Sequence, residues 1–418
     1  MKRVLVLVGE SLSANGICAN AVMNELKIKG YEVICLTNQE FNQKNRENKK
    51  GVKIEKVKPR LTYRMNFWCK NHGGFLSRLI KKVSFILNKA KLVISIPTWP
   101  LISPFYTYRF YKSAKKLYKN HKYDCIISIY TQIDTVIAGY FIKKKYPEVK
   151  FIPYFLDSLS GGYGPKMFSK QWVIKRGLTW ERKLLKIADK IIIMKSSERH
   201  HQIYSNGESY YSRIKVLDIP LLTSLSDKDT TTDLLDNKKT NIVYVGSIPC
   251  HIRNPKYSLE VFKKLNIENC RLTIIGTNTC PDLIKKAQED SKKNEIVLID
   301  QISHEEVISA LRSADVLLNI GNNIASMVPS KIFEYMSVGK PILSFYPIEN
   351  DPSIKYLEHY PLSLSVKEDW NELKDNVLKV ENFIKGSCGK TVNLEEFEEK
   401  MYKNTPKAFV EELEKIFI

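Results

Sequence analysis

Acidic residues are missing from one long stretch of this chain: neither Asp nor Glu occurs between Glu55 and Asp124. The formal net charge of +21 is therefore spread unevenly. Long apolar runs are missing too. Val4–Val8 is closed off by Glu10 and is too short for a signal peptide, while the run from Leu92 to Tyr106 is broken by Pro97, Pro100 and Pro104 and is too short to span a bilayer. The eight cysteines show no CxxC spacing, which argues against a zinc site and for a reducing cytoplasm. Cys35, Cys125 and Cys270 fall in or beside expected strands and read as small hydrophobes. No repeat of fixed period, no GxGxxG fingerprint and no recognisable nucleic-acid motif is present. Adjacent His200 and His201 point about 100° apart on a helix, which disfavours a shared metal.

What is there fits a globular α/β chain with room for two domains in 418 residues, 43% of them hydrophobic. Arg3–Val8, a loop through Asn15-Gly16, a helix from about Ile17 to Lys29 and a strand at Tyr31–Thr37 make a βαβ opening. Gly16 is expected to let main chain approach a ligand closely. Further strands are read at 124–130, 150–157, 241–246, 270–276, 295–300, 316–320 and from Pro341. Asp157 ends its strand, where α/β folds place ligand-facing acids, before a glycine-rich loop expected to move. It would steer an acceptor hydroxyl or take its proton, or else cap the next segment. Residues 223–240 are polar and aperiodic and read as a linker. Asp227-Lys-Asp229 has DxD spacing but sits in a hydrophilic run, so it is set aside as a metal site.

The segment 56–123 interleaves Arg60, Arg64, Arg78, Lys81, Lys82 and other cations with Phe67, Trp68, Phe75, Phe85 and Ile86. That mixture suits a helix or loop lying in an anionic membrane surface, each cation adding about 1 kcal/mol before salt screening. Nucleic acid is not expected as a partner, because the large aliphatics favour lipid.

The most informative stretch is Ala314–Leu343: a buried strand, a polar loop, then Pro329-Ser330-Lys331-Ile-Phe-Glu334-Tyr-Met-Ser-Val-Gly339. Pro329-Ser330 marks a helix start with the Ser330 hydroxyl expected to cap it, and Gly339 a stop. A helix N-terminus at the end of a parallel strand is an anion site. Lys331 adds a full charge there, and Glu334 lies within reach to accept hydrogen bonds from hydroxyls.

This stretch resembles the donor-site helix of glycosyltransferase family 4. The resemblance implies a GT-B fold, two Rossmann-like domains with parallel sheets facing an interdomain cleft. The implied layout is an acceptor domain at 1–222 with the membrane-facing insert 56–123, the linker 223–240, and a nucleotide-sugar domain at 241–390. Helices at 391–418 follow, the last crossing back to the first domain. In that family two glutamates are separated by seven residues; Glu334 matches the second, which holds the donor ribose, and Ser326 stands where the first would be. The family places an Arg after the glycine ending the first strand of that domain, and a Lys six residues on. Here Ser247 follows Gly246 and Arg253 takes the second position, so Lys331 is expected to restore the lost charge. Gly276, Gln301 and Ile302 mark the strand ends where the family receives the base.

The resemblance implies transfer of a sugar from a nucleoside diphosphate donor to a lipid-linked or polysaccharide acceptor, for a capsule or other cell-surface glycan. The enzyme would be peripheral on the cytoplasmic face of the plasma membrane, retaining, and independent of any metal or other cofactor. Arg253, Lys331, Glu334 and Asp157 are the expected catalytic residues. Two other readings stand beside it: a nucleotide-sugar 2-epimerase, and an inactive donor-binding partner of a transferase.

Overall fold

The computed structural model describes residues 2–11, 13–39, 51–162, 164–165, 167–223, 232–324 and 328–417. Ser326, Asp227 and Asp229 lie outside the described residues, as do residues 224–231 of the expected linker. The chain divides into two compact units, one of Met1–Pro220 with Pro406–Ile418 and one of Leu221–Thr405.

The first unit is built on strands β1 (Arg3–Val8), β2 (Glu32–Asn38), β3 (Lys53–Val57), β4 (Cys125–Tyr130), β5 (Lys150–Phe155), β6 (Ile191–Met194) and β7 (Ile214–Leu217). Its helices are α1 (Ala14–Ile28), α2 (Leu61–Asn71), α3 (Gly74–Ile94), α4 (Pro104–Asn120), α5 (Ile133–Lys145), α6 (Lys170–Leu185) and α7 (Lys195–Tyr204). The strands run in the order β3-β2-β1-β4-β5-β6-β7, every pair parallel. Val4 to Val8 are all buried, as a strand covered by helices on both faces requires. Gly16 is the third residue of α1 rather than part of the preceding loop, and its amide donates to the capping Ser13 hydroxyl. A Cβ there would lie 2.3 Å from the Ser11 carbonyl oxygen, so close approach decides the residue. The segment 56–123 contains three helices, the longest being the 21-residue α3. No described helix is long and apolar enough to cross a membrane.

The second unit has strands β8 (Thr240–Val245), β9 (Cys270–Ile275), β10 (Glu295–Ile299), β11 (Val316–Ile320), β12 (Ile342–Tyr346) and β13 (Ser363–Lys367). Between and after them come α8 (Lys256–Lys264), α9 (Pro281–Asp290), α10 (His304–Ser313), α11 (Lys331–Val338), α12 (Ile354–Leu357) and α13 (Leu373–Ser387). The order β10-β9-β8-β11-β12-β13 is again all parallel. Each sheet thus has one switch point, between β1 and β4 and between β8 and β11, where the chain turns from building one side to the other. Ligands of open α/β sheets bind at such points, beyond the carboxyl ends of the strands.

Helix α14 (Pro406–Glu414) returns to the first unit and packs on α1, with Phe409 against the Tyr154 ring at 4.8 Å between centroids. Its Glu412 meets Lys190 at 2.7 Å, Lys415 at 2.7 Å and Lys215 at 3.2 Å. Burial alone would raise this carboxyl, but the three lysines overcome it and pull it down to about 2. A carboxyl lowered on folding stabilises above its ordinary value near 4.5 and ceases to do so as pH falls through the lowered one. The Glu412→Gln variant is therefore expected to unfold at lower urea concentration than wild type at neutral pH. The gap should narrow once pH drops below about 4.5, and a gap independent of pH would contradict the assignment.

Candidate functional site

At the second switch point β8 pairs with β11 only at Ile242 and Val243, so the two strands part before they end. The Val245 N–H and C=O, which face the gap, take the Tyr335 hydroxyl of α11 instead. The amide donates to it at 2.9 Å and it donates back to the carbonyl at 3.3 Å. One side chain thus completes the strand end and fixes α11 beside it. Lys331, one turn earlier on the helix, is held next to Gly246: a Cβ on Gly246 would sit 3.5 Å from the Tyr244 hydroxyl and 4.0 Å from Lys331 Cγ.

Backbone packing at this point is tight. Gly246 and Gly276 end neighbouring strands at φ of 142° and 134°, and a Cβ on Gly276 would lie 2.3 Å from the Gly246 carbonyl oxygen. Neither position accommodates a side chain without distortion.

Arg253 lies across the gap. Its Nη1 donates to the Tyr244 hydroxyl at 2.9 Å and to the Ser247 carbonyl at 3.2 Å, while Nε and Nη2 donate to Asn322 Oδ1 at 3.1 and 3.0 Å. The guanidinium therefore ties the loop after β8 to the loop after β11, and these partners are all neutral oxygens. Its charge is not cancelled by them. Lys331 is different: its Nζ meets Glu334 Oε2 at 2.9 Å. The acid that the sequence placed nearby for a hydroxylated ligand is the lysine's own counter-ion, and Glu334 is 8% exposed.

Ser330 departs from expectation. It has helical φ and ψ and its side chain makes no capping hydrogen bond, so the first-turn amides of α11 are not met by this hydroxyl. Pro329 before it is buried. Ser247 is exposed, with its hydroxyl accepting from Thr277 at 3.2 Å. Gln301 and Ile302 lie just beyond β10, exposed and half-buried. The residues tied together are thus Gly246, Ser247, Gly276, Arg253, Lys331 and Glu334. Tyr244, Asn322 and Tyr335 were not found from sequence. Tyr244 had a signal, a polar-tipped ring in the aliphatic run Ile242–Val245; Asn322 depends on which loops meet.

In the first unit Asp157 is exposed, two residues past β5. The glycine-rich loop after it is tied down at Ser160, whose amide donates to Glu181 at 2.9 Å and whose hydroxyl meets His200 Nε2 at 2.7 Å. Burial pushes the Glu181 carboxyl up to about 7, against hydrogen bonds from Ser160 and Tyr210. The neighbouring His201 bonds Ser205 instead, at 3.0 Å.

At the first switch point lies a cavity of about 500 Å³ lined by Gly9, Glu10, Ser13, Asn38, Arg60, Thr62, Tyr63, Asn66, Tyr106, Gln132 and Asp134, among others. Nearly every lining residue offers a hydrogen bond. Arg60 pairs with Asp134 at 2.8 Å, bonds Gln132, and lies 4.7 Å from the centroid of the Tyr106 ring. Burial raises the Asp134 carboxyl, with Arg60 and the Thr107 hydroxyl opposing.

Two doubly wound parallel sheets with this strand order form the GT-B architecture. Solved structures agree. The N-terminal domain of Candida albicans trehalose-6-phosphate phosphatase is 12% identical over 100% of this chain and 97% of its own, with a TM-score of 0.62. Anabaena HepE in complex with UDP and glucose is 12% identical over 100% and 99%, with a TM-score of 0.59. A putative UDP-N-acetylglucosamine 2-epimerase from Listeria monocytogenes is 11% identical over 96% and 91%, with a TM-score of 0.53. At these identities the likeness is one of fold. No curated protein matches the chain. Residues 227–382 match the family described as Glycosyl transferases group 1. The second unit is therefore a group 1 glycosyl transferase domain, and glycosyl transfer is the chemistry it brings.

Removing the Tyr335 hydroxyl tests the strand-end device. Tyr335→Phe leaves a buried amide and carbonyl without their partner, and should destabilise the second unit by about 1–3 kcal/mol in denaturant titrations while preserving the fold. An unchanged midpoint would show that the hydroxyl does not hold α11 to β8.

Proposed function

We propose that the protein transfers a sugar from a nucleoside diphosphate donor to a lipid-linked glycan acceptor at an anionic membrane surface, with retention and without a metal. The observation that carries the donor half is Arg253: a half-buried cation at the switch point whose named hydrogen bonds all go to neutral oxygens, leaving its charge for an anion. With Lys331 at the same glycine and the α11 N-terminus beside it, fixed positive charge would meet the diphosphate as the sugar–phosphate bond lengthens. Such fixed charge does the work that a divalent ion does elsewhere. On donor binding Lys331 would pass from Glu334 to phosphate, freeing the carboxylate for ribose hydroxyls. Gly276, Gln301 and Ile302 would receive the base, and Pro329 and Ser330 would present the helix end.

The acceptor half rests on the first unit. Its polar cavity suits hydroxyl-rich ligands, with Glu10, Asn38 and Asn66 among the lining residues that can hydrogen-bond to them. Asp157 would activate the acceptor hydroxyl. Helix α2, which lines the cavity, pairs with α3 through small residues. The Ser77 hydroxyl donates to the Cys69 carbonyl at 3.2 Å and the Ser84 hydroxyl to the Thr62 carbonyl at 3.5 Å. These two serines are the buried residues of α3, while Phe75, Leu76, Phe85, Ile86, Val93 and Ile94 are exposed. A helix that buries serine and exposes phenylalanine has its apolar surface turned away from its own protein. Interspersed Arg78, Lys81, Lys82 and Lys89 suit that surface to an anionic lipid leaflet.

Three measurements test the reading. A panel of radiolabelled nucleotide sugars with membranes should move label into lipid. Sugar rearranged without acceptor would instead favour a 2-epimerase, and binding without turnover a donor-binding partner. Lys331→Met should weaken donor binding about as much as Arg253→Met, by roughly tenfold or more for a lost charge on phosphate; wild-type affinity in the Lys331 variant would exclude its role. The protein should float with phosphatidylglycerol vesicles at low salt, and Phe85→Ser with Ile86→Ser should weaken that binding. Equal binding to neutral vesicles would remove the charge argument.

A further inference from the structure

Two cysteines thirty positions apart in sequence meet beside the donor loop. The loop after β8 and the loop after β9 are joined by a parallel bridge between Ile248 and Asn278, with the Ile248 amide donating to Thr277 O at 2.8 Å and the Thr279 amide to Ile248 O at 3.0 Å. Two residues further on in that register stand Cys250 and Cys280, and the Cys250 amide donates to Thr279 Oγ1 at 2.9 Å, which holds the two loops together at that level. The two thiols are within hydrogen-bonding reach of each other, and both residues are half-buried. Adjacent parallel strands lie about 4.8 Å apart, inside the Cα separation of about 4.4–6.8 Å that a disulfide tolerates.

We propose that Cys250 and Cys280 form a reversible disulfide, a covalent modification site that shifts the Ser247–Arg253 loop and so weakens donor binding. The consequence for the donor rests on the function proposed above; the bond itself does not. The oxidant is a small-molecule disulfide. Cys250 Sγ, as thiolate, attacks one of its sulfurs and expels a thiolate, giving a mixed disulfide. Cys280 Sγ then loses its proton to solvent, attacks the Cys250 sulfur and expels the second thiolate. Two electrons pass from the cysteine pair to the oxidant, which leaves as two thiols. Burial, and then its hydrogen bond to Cys250, push the Cys280 thiol up to about 12, so Cys280 is a poor first nucleophile and enters as the second, resolving thiol.

Bond formation brings the sulfurs from hydrogen-bonding separation to about 2.05 Å and fixes a dihedral of about 90° between them, which pulls on the 247–253 loop. That loop carries Arg253, whose four hydrogen bonds to Tyr244, Ser247 and Asn322 depend on its position. A shift of about 1 Å in a positioning segment is enough to cost a large factor in function.

The test treats the full chain with oxidised glutathione, then alkylates and maps peptides. The expected result is a Cys250–Cys280 linked peptide that dithiothreitol releases, with altered amide exchange over residues 247–253. Affinity for whichever of UDP, GDP and ADP binds the reduced protein should fall about tenfold on oxidation and recover on reduction. Cys250→Ser and Cys280→Ser should each bind as the reduced wild type does and ignore the oxidant. Separate alkylation of the two thiols, unchanged exchange, or unchanged affinity in the linked form would each overturn the proposal. If none of the three nucleotides binds the reduced protein, the donor reading fails, and the linked peptide and the exchange rates still decide whether the site exists.

Discussion

Everything in the second unit's candidate site depends on β8 and β11 parting early. Were their ladder continuous to the strand ends, Val245 would be satisfied by β11 and no gap would exist. Because pairing stops at Val243, backbone groups at the strand end need partners from elsewhere, and Tyr335 supplies them. That bond sets the position of α11 and therefore of Lys331. Arg253 then closes the far side by reaching Asn322. Cation, helix end and glycine backbone converge because one sheet is incomplete at one place.

The same economy explains the glycines. With the strand ends of β8 and β9 at φ values open to glycine alone, backbone is exposed where a ligand would lie and side chains are kept out. The site is made of main chain walls with charge brought in from one loop and from the first turn of α11. In the first unit the equivalent place is filled differently, by an Arg60–Asp134 pair and amides, giving a cavity rich in donors and acceptors and poor in net charge. The two units thus share a topology and differ in what their switch points present.

Sequence showed the buried strands well, because Val4–Val8, Cys125–Ile129 and Val316–Ile320 are near-continuous apolar runs bounded by turns. It missed the edge strands β3 and β13, though it read the edge strand β10. β3 reads Lys-Ile-Glu-Lys-Val, and β13 alternates serine with aliphatics, patterns that a solvated segment also shows. Within the site, Arg253 and Lys331 were legible because charge beside a helix start or after a strand glycine has few structural uses. Asn322 and Tyr244 were not, since their importance lies in which loops the fold brings together. Ser330 misled for a local reason: a serine before a helix suggests a cap, but here it has already turned helical. The α2–α3 pair was read as charge and grease without the detail that decides its orientation, the two serines on the inner face.

The placement of α14 has a consequence for how the molecule comes into being. The first unit leaves its outer layer incomplete until Pro406–Glu414 arrives to cover α1 and engage Lys190. On the ribosome those residues emerge after the whole of Leu221–Thr405. The half of the protein that is begun first is thus finished last, and the later-made unit can reach its native state while its predecessor still waits for a lid.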